Sequence, residues 1–255
     1  MRQQNRMIKI PGKACALKTF STMRQSRPAF VLGLVAWLGA SAYFAFRFAA
    51  AEQSGDPWWR ELLTMLVSLQ ILSGSIAPTA SEVRTELTSG RLPTVMLLSG
   101  TLWKAFNESG VVRSIYVWLR SVATFLIIGA ISGFPSWPQL AFGLTLLLVS
   151  VIGLQAFANI LASLTIVLGR HATIGIAIGQ LVVIAMVVLS SKPSVLLPFG
   201  LGRVLVRTMV QGGDLPAGGA IQTLANAFLY LIASYVVITW IEWRALTMGK
   251  FFDHD

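Results

Sequence analysis

Six long apolar stretches limit what this sequence can fold into more than any other feature. They cover residues 28–51, 58–80, 111–133, 139–168, 173–190 and 219–241. A helix needs roughly 20 mostly apolar residues to cross a bilayer, and each stretch comes close to that length. Only 12% of the residues are charged, against about 25% in a typical soluble domain. The sequence therefore predicts an all-α, polytopic membrane protein with six transmembrane helices.

The positive charge is concentrated near one end of the sequence. Lys and Arg number 20 against 10 Asp and Glu, which gives a net charge of +10. An excess of this size in a soluble domain would suggest nucleic acid as a partner. Seven of the basic residues, however, lie within residues 1–27, directly before the first apolar stretch. We interpret residues 1–27 as a basic, amphipathic segment that contacts lipid headgroups, and we predict no nucleic-acid partner.

The loops continue the same charge pattern. Six spans place both termini on one side of the membrane, where thirteen basic residues fall, against four on the other side. Cytoplasmic loops carry an excess of Lys and Arg, so both termini are predicted to be cytoplasmic. A cleaved signal peptide within residues 1–51 is the alternative, but its apolar region would be only about 7–15 residues long.

Motifs for catalysis and for metal binding are missing from the sequence. It contains no G-x-x-x-x-G-K-[ST] phosphate loop, no H-E-x-x-H and no G-x-S-x-G. The two histidines, His171 and His254, lie far apart in the sequence, and Cys15 is the single cysteine. We therefore expect that this chain is not an enzyme and that it binds no metal or cofactor itself.

Residues 81–110, between the second and third apolar stretches, have an unusual character for a connector. Glu82, Arg84 and Glu86 precede Gly90, and the apolar run 95–98 that follows is too short to span a membrane. Such a stretch favours a short amphipathic helix at the membrane face that offers charges to a soluble partner. The alternative is a solvated loop in which the apolar run is incidental.

This segment resembles the permease subunits of type-2 ATP-binding-cassette exporters. Those subunits carry an acidic residue, a glycine, a leucine and a Leu-Leu-Ser/Thr end after their second span. The matching positions here are Glu86, Gly90, Leu92, Leu97, Leu98 and Ser99. The resemblance implies that residues 81–110, with Glu82 among them, form a coupling loop that docks on a separate nucleotide-binding ATPase subunit.

The resemblance extends over almost the whole chain. It implies the type-2 exporter permease fold over residues 28–255, and an outer re-entrant loop at residues 191–218. It also implies a second permease copy or a related permease, in the cell inner membrane. ATP and Mg would be bound by the partner ATPase, and two permease copies would enclose the pathway.

The resemblance points to a lipophilic or amphipathic small molecule as the exported substrate. Exporters of haem or glycolipid and permeases for copper assembly are the alternatives within the family. Outside it, a secondary transporter would need an acidic residue within the membrane, and Glu61 is the nearest candidate. A polytopic membrane enzyme would need several ionisable residues inside the spans, which the sequence lacks.

Polar residues within the fourth and sixth stretches are candidates for lining a pathway. They form two pairs with a spacing of four, which places each pair on one helix face: Gln155 with Asn159, and Gln222 with Asn226. Hydrogen bonds between packed helices are the more frequent use of such residues, and we favour that interpretation.

Four arginines lie within or near the membrane. Arg203 and Arg207, in the predicted outer loop, are candidates for an outer gate, and interfacial anchoring is the equal alternative. Arg113 and Arg120, in the third stretch, can attract an anionic substrate or a lipid headgroup. Snorkelling, or pairing with a nearby acid such as Glu108, is the commoner role of such arginines.

Overall fold

The computed structural model of the chain describes six helices. The described residues are 27–53, 58–90, 99–132, 137–168, 194–211 and 218–247, with 92, 94, 177, 179–181, 183–185, 187 and 213. The helices are α1 (Arg27–Gln53), α2 (Trp58–Thr88), α3 (Leu102–Ser132), α4 (Trp137–Leu168), α5 (Gly200–Gln211) and α6 (Gly219–Thr247). This part of the chain contains no β-strand, so the all-α prediction is confirmed for it.

Four of these helices are long and apolar enough to cross a membrane: α2, α3, α4 and α6. In α1 the apolar section found by the same criterion is shorter, Val35–Ala50. The fifth predicted stretch, 173–190, lies mostly outside the described residues, although positions 177, 179–181, 183–185 and 187 are helical. The basic segment 1–27 also lies outside them, except for Arg27. The four long helices indicate a multi-pass membrane protein.

Helix α4 lies at the centre of the bundle and packs against α2, α3, α5 and α6. The larger hydrophobic cluster contains residues from each of the helices α1 to α5. Leu72, Leu147 and Phe199 belong to it and are fully buried. A second cluster lies at the carboxyl ends of α2, α4 and α6, around Leu92 and Ile241. In contrast, α6 exposes a row of apolar side chains, which suits contact with lipid: Ile221, Phe228, Ile232, Tyr235, Val236 and Trp240.

The structure differs from the predicted connector at residues 81–110. Helix α2 continues through Pro78 to Thr88, and α3 already begins at Leu102. A prediction from hydropathy ends a span at the first charged residues. The helix itself can continue past them, because backbone hydrogen bonding does not require apolar side chains. Gly90 ends α2 with a φ of 66°, a left-handed conformation that glycine adopts without steric cost. A turn at Ser89 and Gly90 therefore begins the connector, and residues 92, 94 and 99 within it are helical.

Residues 191–218, predicted as an outer re-entrant loop, contain the 12-residue helix α5. One face of α5 is buried against α2 and α4. Gly202 permits this contact, because a Cβ there would lie 2.3 Å from the Phe199 ring and 2.5 Å from Ser150 Oγ. The segment is thus a short amphipathic helix held inside the bundle.

Candidate functional site

The main charged groups of the bundle lie at the two ends of α2. The Glu61 cluster consists of Glu61, Arg203 and Arg207. The Glu82 cluster consists of Glu82 and Arg113 with Thr79, Gln155 and Asn159. Glu61 and Glu82 are 21 residues apart in one helix, about 31 Å at 1.5 Å per residue. That distance matches the roughly 30 Å thickness of the hydrocarbon core of a bilayer.

In the Glu82 cluster, Arg113 of α3 reaches two residues of α2. Its guanidinium forms an ion pair with Glu82. Its Nη1 donates a hydrogen bond to Thr79 Oγ1 at 2.6 Å. The side chains of Arg113 and Glu82 are 16% and 31% exposed, so this charge pair is largely withdrawn from solvent. Sequence reasoning offered Glu108 as a neighbour of Arg113, whereas the structure places Arg113 against Glu82.

Thr79 links this ion pair to α4. Its Oγ1 also accepts a hydrogen bond from Gln155 Nε2 at 2.8 Å and donates one to the Ser75 carbonyl at 2.7 Å. Gln155 Nε2 donates a second bond, to Asn159 Oδ1 at 3.1 Å. The Thr79 hydroxyl therefore uses both lone pairs and its proton in hydrogen bonds. Through this one oxygen atom, α2 is connected to α3 and α4.

Asn159 extends the network towards the start of α3. Its Nδ2 lies 3.5 Å from the Phe106 carbonyl and 3.5 Å from Asn107 Oδ1. Gln155 and Asn159 are 3% and 1% exposed. The spacing of four does place them together, and their contacts are hydrogen bonds between helices, the alternative that we favoured. A Cβ on Gly110 would lie 3.0 Å from Gln155 Cγ, so this glycine lets α3 approach the pair.

We expect Thr79→Val to destabilise the protein. Valine has nearly the same shape, but it leaves the donors of Arg113 and Gln155 without their acceptor. Each unpaired buried donor costs about 1–3 kcal/mol, so the loss should be about 2–4 kcal/mol. Thermal unfolding in detergent measures it. Thr145→Val is the matched control, because Thr145 is exposed and its hydroxyl donates to the Ala141 carbonyl of its own helix. Equal effects of the two variants would contradict the prediction.

At the opposite end of α2, Glu61 receives two arginines from α5. Arg203 Nη2 lies 2.8 Å from Glu61 Oε1, and Arg207 Nε lies 3.5 Å from Glu61 Oε2. Arg203 Nη1 donates a second bond to the Val187 carbonyl at 3.0 Å. The Arg203 side chain is 11% exposed and that of Arg207 is 52% exposed. The two candidate gate residues thus fasten α5 to α2, with Arg203 as the buried member.

The residues predicted to couple to an ATPase lie mainly inside the chain's own packing. Glu82 is paired with Arg113, and Glu86 is buried at 9% exposure. Leu92 is buried in the second hydrophobic cluster, and Gly90 forms the turn. Ser99 is half-buried, while Leu97 and Leu98 lie outside the described residues. Exposed charges at this end of α2 and α3 come instead from Arg84 and Lys104.

The start of α3 is fixed by a carboxylate from α6, which sequence reasoning missed. Glu242 Oε2 accepts a hydrogen bond from the Leu102 backbone N–H at 3.0 Å. Thr101 Oγ1 accepts a second one from the Lys104 N–H at 3.2 Å. A negative charge at a helix amino terminus is stabilising because the unpaired N–H groups there carry partial positive charge. Only the contact between the two helices reveals this role of Glu242.

The two residues of the pair on α6, Gln222 and Asn226, lie in different surroundings. Asn226 is buried, and its Nδ2 donates hydrogen bonds to the Val195 carbonyl and, at 3.2 Å, to the Leu197 carbonyl. Gln222, one turn earlier, is exposed. The remaining candidate, Arg120, lies with its guanidinium 4.9 Å from the ring centroid of Trp37 on α1. These contacts attach the outer segments of the bundle to its core.

No group of three or more His, Cys, Asp or Glu side chains that could hold a metal ion occurs in the described part of the chain. The geometry of the site is that of charge pairs and hydrogen bonds that fasten helices together at both ends of α2. Comparisons with family models, with curated proteins and with solved structures each found no match.

Proposed function

We propose that this chain is the membrane-spanning permease subunit of an ATP-binding-cassette exporter. It would work as a dimer in the cell inner membrane and bind a separate nucleotide-binding ATPase, which carries ATP and Mg. The sequence resemblance at Glu86, Gly90 and Leu92 supports the family. The observation that carries the proposal is the bracing of the α2–α3 turn by residues from three helices.

That bracing suits mechanical coupling. Arg113 ties α3 to Glu82 of α2, and Glu242 ties the first residue of α3 to α6. The second hydrophobic cluster fills the space between these contacts and adds the end of α4. A push on the connector at residues 89–101 would therefore displace four helix ends together. Rigid displacement of packed elements is how a soluble motor domain can move a membrane domain.

The connectivity supports six spans with both ends of the chain on one side. The carboxyl ends of α4 and α6 lie together in the second cluster, which includes Ile166 and Ile241. After α4, the chain next contacts the opposite end, where Asn226 binds Val195 and Arg203 binds Glu61. Our proposal places one further crossing between residues 168 and 194, where positions 177, 179–181, 183–185 and 187 are helical. With α1 as the first span, the proposed total is six.

The proposed substrate is a lipophilic or amphipathic small molecule that passes between two copies of the chain. The apolar faces that α1 and α6 expose are suited to a second copy and to lipid. The rival function, a secondary transporter, would use Glu61 to carry a coupling proton. Glu61 is instead held in ion pairs with Arg203 and Arg207.

Co-expression tests the proposal. The tagged chain, produced together with a phosphate-loop ATPase from an adjacent reading frame, should retain that ATPase in equal stoichiometry and raise its ATP hydrolysis. The double reversal Arg84→Glu, Lys104→Glu places acidic groups beside the α2–α3 turn, and we expect it to weaken the complex at least tenfold. Gln222→Glu adds an acid at the other end of the bundle and should leave the complex intact.

Two results would contradict this function. One is a complex that withstands the double reversal as well as it withstands Gln222→Glu. The other is transport in vesicles that contain this chain without any ATPase.

A further inference from the structure

One face of α2 is polar from end to end although it is packed inside the bundle. Glu61, Ser68, Ser75 and Glu82 recur every seven residues, and Thr64, Leu72, Thr79 and Glu86 lie beside them. At 3.6 residues per turn, these eight positions fall within about 80° of the helix circumference. We call this stripe the polar seam. Thr64, Ser68, Leu72 and Ser75 are 0% exposed, and Thr79 is 3% exposed.

The polar seam contains more hydrogen-bonding atoms than the described protein groups satisfy. Ser68 Oγ, Ser75 Oγ and Gln155 Oε1 are buried, and none of them has a hydrogen-bond partner among the described residues. Gln155 belongs to the seam because its amide nitrogen bonds to Thr79. Buried polar atoms are costly without a partner, and internal water is their usual partner where protein groups are missing. Serine in a helix can also bond to its own backbone, but these two hydroxyls do not.

The polar seam has a charge pair at each end. Arg203 closes it at Glu61, and Arg113 closes it at Glu82. Both arginine side chains are largely withdrawn from solvent, at 11% and 16% exposure. The separation of about 31 Å between the two acids is the thickness of the bilayer core. The single apolar position inside the stripe is Leu72, midway between the two unpartnered serines.

We propose that the polar seam is a hydrated path across the membrane within a single copy of the chain. Its occupant is water, bound by Ser68, Ser75 and Gln155, and its ends are closed by the Glu61–Arg203 and Glu82–Arg113 pairs. Leu72 is the narrow point that separates the two halves. The inference rests on the packing of α2 alone, and it stands apart from the ATPase coupling and from any pathway between two copies.

Cysteine labelling in lipid vesicles tests the hydration of the seam. The variants Ser68→Cys and Ser75→Cys are made in a Cys15→Ser background and treated with a charged methanethiosulfonate reagent. Such reagents attack thiolates, which form only where water reaches the sulfur. Val67→Cys, 3% exposed beside the seam, is the dry buried control, and Leu69→Cys, 41% exposed on the outer face, is the lipid control. We expect both serine positions to react at least tenfold faster than both controls.

Opening one end at a time tests the two charge pairs. Arg203→Gln should raise the labelling rate of Ser68→Cys, and Arg113→Gln should raise that of Ser75→Cys, while the more distant cysteine changes little in each case. Serine and cysteine are close in size, and an unchanged elution volume on gel filtration verifies that each variant is folded.

The proposal is overturned by any of three results. Labelling of Ser68→Cys and Ser75→Cys as slow as that of Val67→Cys would show a dry seam. Equal labelling of Leu69→Cys would show general exposure rather than a path. Rates that do not respond to either arginine variant would remove the closing role of the charge pairs.

Discussion

Replacing Gly153 with leucine is expected to destabilise the protein strongly by forcing α4 and α6 apart. A Cβ on Gly153 would lie 2.9 Å from Ala227 Cα and 3.3 Å from Ala227 Cβ, so the α4 and α6 backbones meet at this point. Neither atom can move aside without separating the two helices, because alanine has no flexible side chain. Overpacking of a core costs about 1–3 kcal/mol where side chains can adjust, and we expect at least the upper value here. Thermal unfolding of the detergent-solubilised protein measures it.

Gly39→Leu is the matched control for this prediction. Gly39 lies within α1, and a Cβ there would meet no atom within 4 Å. Replacing a glycine inside a helix without strain normally stabilises it by about 0.5–1 kcal/mol, because glycine loses more backbone freedom on folding. The two substitutions should therefore shift the midpoint temperature of thermal unfolding in opposite directions. A Gly153→Leu midpoint at or above that of the unsubstituted protein would refute the close contact of α4 and α6.

Arg203→Leu should release α5 from the bundle. The substitution removes the ion pair with Glu61 and the hydrogen bond to the Val187 carbonyl. Breaking a buried ion pair costs about 3–5 kcal/mol, and since Glu61 is 32% exposed we reduce this to about 2–3 kcal/mol. Limited proteolysis near α5 and thermal unfolding measure the effect, which should appear as faster cleavage and a lower midpoint.

Two further variants separate charge pairing from side-chain size. Arg207→Leu removes the exposed partner, 3.5 Å from Glu61 and 52% exposed, and should have little effect. The double variant Glu61→Leu, Arg203→Leu removes both charges, and it should recover much of the stability lost by Arg203→Leu. If the stability loss of the double variant equals the sum of the losses of Glu61→Leu and Arg203→Leu measured singly, the two side chains do not interact.

The helices themselves were largely predictable. Runs of apolar residues as long as 139–168 have few alternatives to a membrane helix, and α4 spans Trp137–Leu168. The predicted end was less accurate at α2, because the apolar stretch ends at Ala80 whereas the helix continues to Thr88. The turn that follows depends on Gly90 in a left-handed conformation, whereas from the sequence Gly90 was named only as a position of the family resemblance.

The polar contacts were only half predictable. A spacing of four correctly placed Gln155 and Asn159 on one face of α4, because that depends on helix geometry alone. The same spacing failed for Gln222, which is exposed, while Asn226 is buried. Which residue of a pair turns inward depends on where neighbouring helices lie, and that is a property of the packed bundle.

The sequence by itself determined that the protein consists of apolar helices that can cross a membrane. Hydropathy and helical hydrogen bonding act over a single turn or a single helix, so they can be read locally. Tertiary structure alone decided the partner of each charge. Glu82 meets Arg113 across 31 positions, Leu102 meets Glu242 across 140, and Glu61 meets Arg203 across 142. A charge inside the bundle must find whichever opposite charge the packing brings within a few ångströms, and no local pattern specifies that neighbour.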